Sequence, residues 1–453
     1  KAWVSGDGAT GWQLSFAPYA SPGCAERVAA ARRAALVRQM RRLAPLILLT
    51  VFLRAGIGAA APATPPVLFN TAWEGASVGL VEVLGETEFR VRPRGQQDAR
   101  GRNRQTTWWA VRMDQLEGRA VTVRVTGFDG EYNDRPVISW AGAWYRPVMS
   151  RDGERWTHVE NAAWDAERKE VRFTLPAGAA TLWLAHIPPY PAGRAHALVD
   201  EAGRSPHARV EEIGRSVLGR PLQLVRVTDG GVPDAGKRVI WMQARQHAWE
   251  ADTSRILEGA LRFALSGDPV AVRLRAGNVL WFLPMINPDS VARGEVRFNA
   301  NGFDPNRHWD EADPRDERWR VRAPEIWHVK RAMLERHARQ PIDLALNLHN
   351  TETGEYLETM ADDDAVLARM TRFHELALTR STFDPSRPKL AVTPAGGGGP
   401  RNTTNAIWVE ARVPMMLLET RIGPGRKLAR DPTEEDRLEL GRTLVALLAE
   451  AAR

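Results

Sequence analysis

From Leu222 onward, short apolar segments alternate with longer ones in which apolar residues recur at helical spacing, and this alternation restricts the fold more than any other feature. Short apolar runs bounded by turn residues are typical of buried strands, and the longer segments are typical of amphipathic helices. The candidate strands are Leu222–Val227, Val239–Met242, Val279–Ile286, Leu344–Leu348 and Met415–Leu418. The candidate helices are Ser254–Leu265, Ala323–His337, Ala365–Leu378 and Glu434–Ala451. The alternation predicts an α/β domain with a mixed, largely parallel sheet covered by helices on both faces.

Polar and ionisable side chains follow four of these candidate strands, at the point where each apolar segment ends. They are His247 and Glu250 after the second strand, Asn287 and Asp289 after the third, His349 after the fourth and Glu419 after the fifth. Ligand sites in open α/β sheets lie beyond the carboxyl ends of the strands, so these side chains are expected to converge. Catalytic zinc usually has three His, Glu, Asp or Cys ligands and one open position. The repeated placement therefore favours a metal site, although a His and a Glu three residues apart are weak evidence alone.

Residues 66–186 have a different pattern, with short alternating or aromatic-rich segments separated by turns such as Asp129-Gly130. This pattern predicts an all-β sandwich domain. Its tryptophans could form a carbohydrate-binding platform, but aromatic residues on strands more often belong to the core. The tryptophans concerned are Trp108, Trp109, Trp140, Trp144 and Trp156. The proline-rich segment 187–193 predicts a linker, after which 194–453 forms the catalytic domain.

Residues 1–61 are interpreted as a leader. From Met40 the sequence has two arginines, an apolar stretch from Leu43 to Leu53 and small residues at 59–61, which is the layout of a secretory signal peptide. We expect a periplasmic or secreted protein if this signal is functional, and a cytoplasmic protein otherwise. The apolar stretch is about half as long as a membrane-spanning helix, so no stable membrane anchor is expected.

The net charge of +7 arises mostly in that leader, where eight basic residues accompany two acidic ones. The rest of the chain carries 54 basic and 53 acidic residues, which gives no electrostatic reason to expect nucleic-acid binding. The single cysteine, Cys24, also lies in the leader, so no disulfide is expected in the remaining sequence.

A further set of residues lies between the third and fourth candidate strands. Arg297 is followed by the segment Gly302-Phe-Asp-Pro-Asn-Arg-His-Trp309, which reads GxDxNRxW. Taken in chain order, these motifs resemble those of the zinc metallocarboxypeptidases. The motifs are HxxE, NPD, an arginine, GxDxNRxW, a strand-terminal His and a strand-terminal Glu. The preceding sandwich and the segment Tyr145-Arg-Pro-Val-Met-Ser150 resemble the bacterial relatives of the cytosolic carboxypeptidases. The resemblance extends over residues 66–453.

The resemblance implies a zinc-dependent hydrolase that acts on the C-terminus of peptides or proteins. It implies that His247, Glu250 and His349 are the ligands of one Zn²⁺ ion per chain, with an open position for water. It also implies that Glu419 is the general base that takes a proton from this water. Arg297 is implied to polarise the scissile carbonyl.

The same resemblance implies a clamp for the terminal carboxylate of the substrate. Asn306 and Arg307 are implied to form it, since a guanidinium grips a carboxylate through two parallel hydrogen bonds. Arg401 is implied as a residue of the side-chain pocket, where it would favour an acidic terminal residue, although a solvated loop position explains it equally well.

Two departures from the family pattern leave alternatives open. The family often has a tyrosine on a mobile loop before the general base, but here the corresponding loop is Ala395–Pro400 and the only tyrosine between His349 and Glu419 is Tyr356. Trp249 replaces an arginine of the digestive enzymes and is a candidate for altered specificity. The alternatives are an aspartoacylase-like N-acyl amino acid deacylase and a secreted binding protein with weakened catalysis.

Overall fold

An eight-stranded mixed sheet with helices on both faces forms the C-terminal part of the protein. The computed structural model describes residues 66–453 except 133–134, 138–140 and 395–400. The strands of this sheet are β13 (Ala208–Arg215), β14 (Pro221–Val227), β15 (Arg238–Gln243), β16 (Asn278–Leu283), β17 (Leu344–Thr351), β18 (Tyr356–Thr359), β19 (Ala391–Val392) and β20 (Met415–Arg421). Their order across the sheet is β13-β14-β16-β15-β17-β20-β18-β19.

The four central strands of this sheet, β16, β15, β17 and β20, are parallel to one another. Their sequences are nearly continuous apolar runs because both faces of the sheet are buried. On β15, for example, Ile240 and Met242 face one core, whereas Val239 and Trp241 face the other. The α/β fold with a mixed, largely parallel sheet is thus confirmed.

Helices cover both faces, and the structure has more of them than the sequence predicts. They are α1 (Ala192–Gly203), α2 (Ala251–Leu265), α3 (Pro269–Gly277), α4 (Pro288–Ala292), α5 (Glu317–Arg322), α6 (Pro324–Arg339), α7 (Asp364–Arg380), α8 (Thr403–Ala411) and α9 (Glu434–Ala451). The predicted α9 has the observed bounds, whereas α2 begins three residues earlier than predicted, directly after Glu250. The helices missed by the sequence prediction are α1, α3, α4, α5 and α8, most of which are short.

Two five-stranded sheets form the predicted β-sandwich. The strands are β1 (Leu68–Asn70), β2 (Leu80–Gly85), β3 (Glu88–Arg92), β4 (Ala110–Asp114), β5 (Val121–Thr126), β8 (Val148–Ser150), β9 (Thr157–His158), β10 (Ala163–Asp165), β11 (Glu170–Leu175) and β12 (Leu182–Ala185). One sheet has the order β1-β4-β12-β8-β9 and the other β10-β11-β5-β3-β2, while β6 (Gly130–Tyr132) and β7 (Arg135–Val137) form a separate hairpin.

The sandwich core explains most of its aromatic residues. Trp109 is fully buried and donates a hydrogen bond from Nε1 to Tyr145 Oη at 3.0 Å, and Trp108 donates to the carbonyl of Gly75. Trp144 and Trp156 pack against buried clusters, while Trp140 lies outside the described residues. These positions favour the core interpretation over a carbohydrate platform.

The proline-rich segment that predicted a linker is not an exposed connection. Pro188, Pro189 and Tyr190 are buried, and the carbonyls of both prolines accept hydrogen bonds from the fully buried Arg255. Helix α1 begins at Ala192, inside the segment predicted as a linker, so the connection over 187–193 includes the first residues of a helix. The sandwich and the α/β part belong to one compact unit, Thr64–Arg453.

The leader 1–61 and its signal peptide lie outside the described residues and stay predictions. Among the helices that the structure describes, none is long and apolar enough to cross a membrane.

Candidate metal centre and substrate pocket

Three side chains converge at the carboxyl end of the central strands. His247 and Glu250 lie in the turn between β15 and α2, and His349 lies on β17, which is directly beside β15. His247 Nδ1 lies 2.7 Å from Glu250 Oε1, and His349 Nδ1 lies 3.0 Å from Glu250 Oε2. One donor atom from each residue lies within 4.8 Å of the other two, and all three side chains are buried.

The turn that carries His247 and Glu250 is fixed by Arg245. This residue has a left-handed backbone with φ of 62°, and its fully buried side chain donates to the carbonyls of Ala248 and Tyr190. A left-handed conformation is costly for a residue other than glycine, so it persists only where surrounding contacts impose it. The chain thus holds a strained turn at the position where it presents two donors.

The three donors fit a zinc ion. Glu250 Oε2 and His349 Nδ1 are buried without a hydrogen-bond partner in the described part of the chain, although they lie only 3.0 Å apart. Buried polar atoms are rarely left unsatisfied, and these two point toward a common centre. Two imidazoles and one carboxylate form a donor set typical of catalytic zinc, with a position left open.

The electrostatics of the cluster favour the protonation states that bind metal. Burial alone would raise the pKa of Glu250, but His247 and His349 outweigh it and hold the pKa at about 2. Burial lowers the pKa of His349, which favours the neutral imidazole. A metal ligand must be deprotonated, so both shifts act in the direction that metal binding requires.

Asp304 joins the metal cluster to the arginines, and the sequence prediction missed this role. Its Oδ1 lies 3.1 Å from His247 Nε2 and accepts from the Asn306 backbone N–H at 2.8 Å. Its Oδ2 accepts from Arg297 Nε at 2.6 Å. Asp304 is the aspartate of the GxDxNRxW segment, so that segment already contained the signal. Such outer carboxylates orient a ligating imidazole and fix its tautomer.

His349 has equivalent support on its other ring nitrogen. Gln246 Oε1 lies 3.0 Å from His349 Nε2, and Asn306 Nδ2 lies 3.3 Å from the same atom. Asn306 is in turn fixed by its Oδ1, which accepts from the backbone and hydroxyl of Thr403. Asn306 therefore lies between the metal cluster and the substrate pocket.

Arg297, predicted to polarise the scissile carbonyl, and Arg307, predicted to bind the terminal carboxylate, both reach this pocket. Arg297 is largely buried and its guanidinium lies 5.2 Å from the centre of the Tyr132 ring. Arg307 donates from Nη1 to the Asn306 carbonyl at 2.7 Å and from Nη2 to Tyr132 Oη at 2.6 Å. Tyr132 belongs to the sandwich hairpin β6–β7, and the sequence prediction did not include it.

Glu419 lies next to His349 because β17 and β20 are parallel with these two residues in register. Its Oε2 is buried without a hydrogen-bond partner within the described residues. The carboxylate is not paired with Arg421, which instead lies near Glu355 and Asp384. Burial and then the neighbouring carboxylates of Glu250 and Glu352 raise the pKa of Glu419 well above its usual range. Glu419 is thus a partly buried acid–base group whose Oε2 has no hydrogen-bond partner among the described residues.

A cavity of about 320 Å³ joins these groups and is called the catalytic pocket here. His247, Glu250, Arg297, Asn306, Arg307 and Glu419 all line it. Glu352 lines the same cavity, and burial raises the pKa of its carboxyl to about 7.

Arg401 lies elsewhere, in a second cavity of about 660 Å³ that we call the outer trough. The outer trough is shared between the sandwich and the α/β part, and it is lined by Arg100, Arg102, His308 and Arg401 among others. Arg297 and Arg307 line both cavities, so the two are adjacent. The structure therefore does not bring Arg401 into the catalytic pocket with Glu419.

Two aromatic residues singled out by the sequence have clear positions. Trp249 lines the catalytic pocket but is only 5% exposed, and its ring packs edge-on against His186 of the sandwich at 5.9 Å. Tyr356 lines the pocket on β18 and is in register with Glu419 on β20. The loop Ala395–Pro400 lies outside the described residues.

Comparison with known families agrees with this geometry. Residues 196–379 match the zinc carboxypeptidase family, and residues 69–187 match the cytosolic carboxypeptidase N-terminal domain. The chain therefore contains a zinc carboxypeptidase domain preceded by a cytosolic carboxypeptidase N-terminal domain. The expected family and the expected zinc cofactor are confirmed, because the His–Glu–His cluster is present in the matched domain.

Individual relatives include an uncharacterized protein of Zymomonas mobilis, which is 25% identical over 84% of this chain and 95% of its own length. Human cytosolic carboxypeptidase 6 is 37% identical over 101 residues, which span only 20% of that protein. The fold is similar to that of a metallo-carboxypeptidase from Burkholderia cenocepacia, with a TM-score of 0.72 and 21% identity over 85% of this chain and 98% of the other. A metallo-carboxypeptidase from Pseudomonas aeruginosa, solved with (2-guanidinoethylmercapto)succinic acid, has a TM-score of 0.69 and 22% identity over 85% of this chain and 100% of its own.

Proposed function

We propose that this metallocarboxypeptidase hydrolyses the last peptide bond of peptides or proteins, with Glu419 as general base. The observation that carries the proposal is that one cavity is lined by two members of the metal-binding cluster, His247 and Glu250, by the carboxylate of Glu419 and by two guanidinium groups. Zinc held by His247, Glu250 and His349 would supply Lewis acidity and activate a water molecule.

Glu419 moves the proton in this proposal. Its Oε2 has no hydrogen-bond partner in the described residues, so it is free to accept a proton from the attacking water and return it to the leaving amine. The raised pKa of Glu419 makes its carboxylate a stronger base, although a bound cation would oppose part of this rise. Tyr356 beside it fills the adjoining wall of the cavity.

Arg297 and Arg307 hold the substrate in two places. Arg297 is nearer the metal cluster, to which Asp304 connects it, and it stabilises the negative charge that develops on the carbonyl oxygen. Arg307 and the amide of Asn306 bind the terminal carboxylate, which restricts cleavage to the last residue. The single side-chain oxygen of Asn306 is already held by the backbone N–H and hydroxyl of Thr403, so the amide is preorganised for this contact.

The outer trough supplies a preference for acidic substrates. Arg100, Arg102 and Arg401 line it together with His308, Asp98 and Asp304, and Arg307 lines both this trough and the catalytic pocket. An acidic side chain near the substrate C-terminus would therefore be drawn into the trough, and Arg401 acts there instead of beside Glu419. Changing Arg401 to Gln should reduce kcat/KM for glutamate-containing peptides more than for their glutamine equivalents.

A mass-spectrometric screen tests the proposed reaction. The substrates are peptides that differ only in their C-terminal residue, each paired with its C-terminal amide, and a panel of N-acyl amino acids. We expect loss of one residue from the free acids and none from the amides, because an amide cannot bind Arg307 as a carboxylate does. Cleavage of the N-acyl amino acids alone would instead favour the deacylase alternative, and a purified protein without stoichiometric zinc would refute the enzyme proposal.

The role of Glu419 is tested by Glu419→Gln. This variant should retain zinc and fold normally but lose at least about 10²-fold in kcat, which is the usual scale of general acid–base catalysis. Glu439→Gln is a matched control, because Glu439 lies on α9 with 62% of its side chain exposed. Full activity of Glu419→Gln would show that another group is the base.

A further inference from the structure

One side chain of the sandwich, Gln96, makes five hydrogen bonds to the segment 295–298 that carries Arg297. Gln96 Oε1 accepts hydrogen bonds from the backbone N–H groups of Val296 at 3.2 Å, Arg297 at 2.6 Å and Phe298 at 2.8 Å. Gln96 Nε2 donates to Glu295 Oε2 and to the carbonyl of Phe298, both at 3.0 Å. The side-chain amide of Gln96 thus pairs with both hydrogen-bond donors and hydrogen-bond acceptors of the segment 295–298.

A second sandwich residue, Tyr132, contacts the guanidinium groups themselves. Its hydroxyl accepts a hydrogen bond from Arg307 Nη2 at 2.6 Å, and its ring lies 5.2 Å from the Arg297 guanidinium carbon. A cation near the face of an aromatic ring is attracted by the ring quadrupole. Tyr132 lines the catalytic pocket together with His247 and Glu419, although it belongs to the sandwich hairpin and not to the α/β part.

Each arginine therefore has one anchor in the α/β part and another in the sandwich. Arg297 has Asp304 on one side and Gln96 with Tyr132 on the other. Arg307 has the Asn306 carbonyl on one side and Tyr132 Oη on the other. A side chain as long as arginine samples many rotamers unless several contacts fix it, so removing the sandwich contacts leaves both guanidiniums under-restrained.

We infer that the sandwich is part of the substrate site, with Gln96 and Tyr132 as positioning residues that set Arg297 and Arg307. This inference rests on the proposed peptide hydrolysis and adds the function of the N-terminal domain to it. Tyr132 Oη positions the Arg307 guanidinium that binds the terminal carboxylate. Gln96 positions the Arg297 guanidinium relative to the scissile carbonyl. Loss of the Tyr132 hydroxyl is therefore expected to change mainly substrate binding, and loss of the Gln96 side chain is expected to change mainly the chemical step.

Steady-state kinetics on a peptide cleaved by the wild-type protein tests the inference. Tyr132→Phe keeps the ring beneath Arg297 and removes only the hydroxyl, so KM should rise about 5- to 20-fold while kcat stays within about 2-fold. Tyr132→Leu also removes the ring, so kcat should fall as well. Gln96→Ala should lower kcat about 10- to 100-fold, because a displacement of Arg297 by about 1 Å costs that much in a positioned reaction.

Two control variants separate positioning from loss of fold. Gln97→Ala is matched to Gln96→Ala, because Gln97 is the next residue and its side chain is exposed. Tyr145→Phe is matched to Tyr132→Phe, because Tyr145 is a buried sandwich tyrosine whose hydroxyl bonds Trp109 and not an arginine. We expect Tyr145→Phe to lower the melting temperature without the KM change, and Gln97→Ala to change neither quantity.

The outcomes distinguish this inference from the function on which it rests. A wild-type protein that cleaves no peptide overturns both. A wild-type enzyme whose Tyr132→Phe and Gln96→Ala variants match their controls in KM and kcat keeps the proposed function and overturns the role of the sandwich. If Gln96→Ala does not fold, the difference between Tyr132→Phe and Tyr132→Leu still decides, since equal kinetics for these two variants and the wild type contradict the inference.

Discussion

Asp304→Asn is the substitution that most directly tests how the metal cluster and the arginines are connected. The carboxylate accepts three hydrogen bonds, from His247 Nε2, Arg297 Nε and the Asn306 backbone N–H. Burial alone would raise the pKa of Asp304, but Arg297 and then His247 hold it well below its usual range. An asparagine has the same shape but only one accepting oxygen, so one of these donors would face an N–H₂ group.

The expected magnitudes follow from these contacts. Arg297 is only 11% exposed and Asp304 is its sole ion-pair partner among the described residues, so the variant leaves a largely buried guanidinium without its counterion. Breaking a buried pair in this way typically costs about 3–5 kcal/mol of stability. Loss of the carboxylate behind a ligating imidazole typically weakens metal binding or activity by about 10- to 100-fold. Both effects should therefore occur in the same variant.

Zinc affinity is measured by competition with a chelator, and stability by chemical denaturation of the metal-free protein. Asp313→Asn is the matched control, because Asp313 lies close in sequence and pairs with Arg315, whose side chain is 91% exposed. An exposed pair contributes at most about 1 kcal/mol, so this control should change neither quantity much. Unchanged zinc affinity in Asp304→Asn would refute the role assigned to Asp304 behind His247.

Two further predictions concern parts of the fold outside the catalytic pocket. Burial raises the pKa of Glu325 to about 7. Between about pH 4.5 and 7 the folded protein therefore keeps a proton that the unfolded chain releases. The free energy of unfolding should fall as the pH rises through this window. Glu325→Gln should remove about 3 kcal/mol of that pH dependence, measured as the difference in unfolding free energy from wild type across the window, and parallel curves would contradict this. Gly441 lets α9 cross α2 closely, since a Cβ there would lie 1.7 Å from the Ile256 carbonyl oxygen, so Gly441→Ala should destabilise by about 1–3 kcal/mol in thermal unfolding. Gly277→Ala, which has open space around the added methyl, should stay close to wild type, and equal effects at the two glycines would refute the packing argument.

The sequence could predict the metal cluster because its members occupy equivalent positions on neighbouring strands. His349 and Glu419 end two apolar segments, and parallel strands in register bring such ends together without knowledge of side-chain packing. His247 and Glu250 follow the adjacent strand β15 and are drawn to the same edge. Local pattern and one rule of sheet topology were thus sufficient to bring these side chains to one edge of the sheet, whereas the family resemblance was needed to identify His247, Glu250 and His349 as the ligands.

Trp249 shows where local pattern is insufficient. Its position between His247 and Glu250 suggested a role in specificity, but the strained turn at Arg245 directs the indole against His186, so most of its surface is buried between the sandwich and the α/β part. Arg401 is a similar case, because its distance in sequence from Glu419 gave no information on which of two adjacent cavities it lines. Both depend on packing between elements that sequence periodicity does not specify.

The contribution of the sandwich to the substrate site is the feature that the sequence was least able to predict. Gln96 and Arg297 are separated by 201 residues, and Tyr132 and Arg307 by 175, yet each pair is in direct contact. No motif marks Gln96 or Tyr132, since a glutamine after a strand and a tyrosine in a hairpin are ordinary surface residues by type. Their proposed function depends on how the two parts of the chain pack together, and the hydrogen bonds from Arg255 to the buried 187–190 segment are among the contacts that dock them. The substrate site is therefore a property of the docked pair, and a mutation that loosens the docking should impair substrate binding before it reaches any zinc ligand.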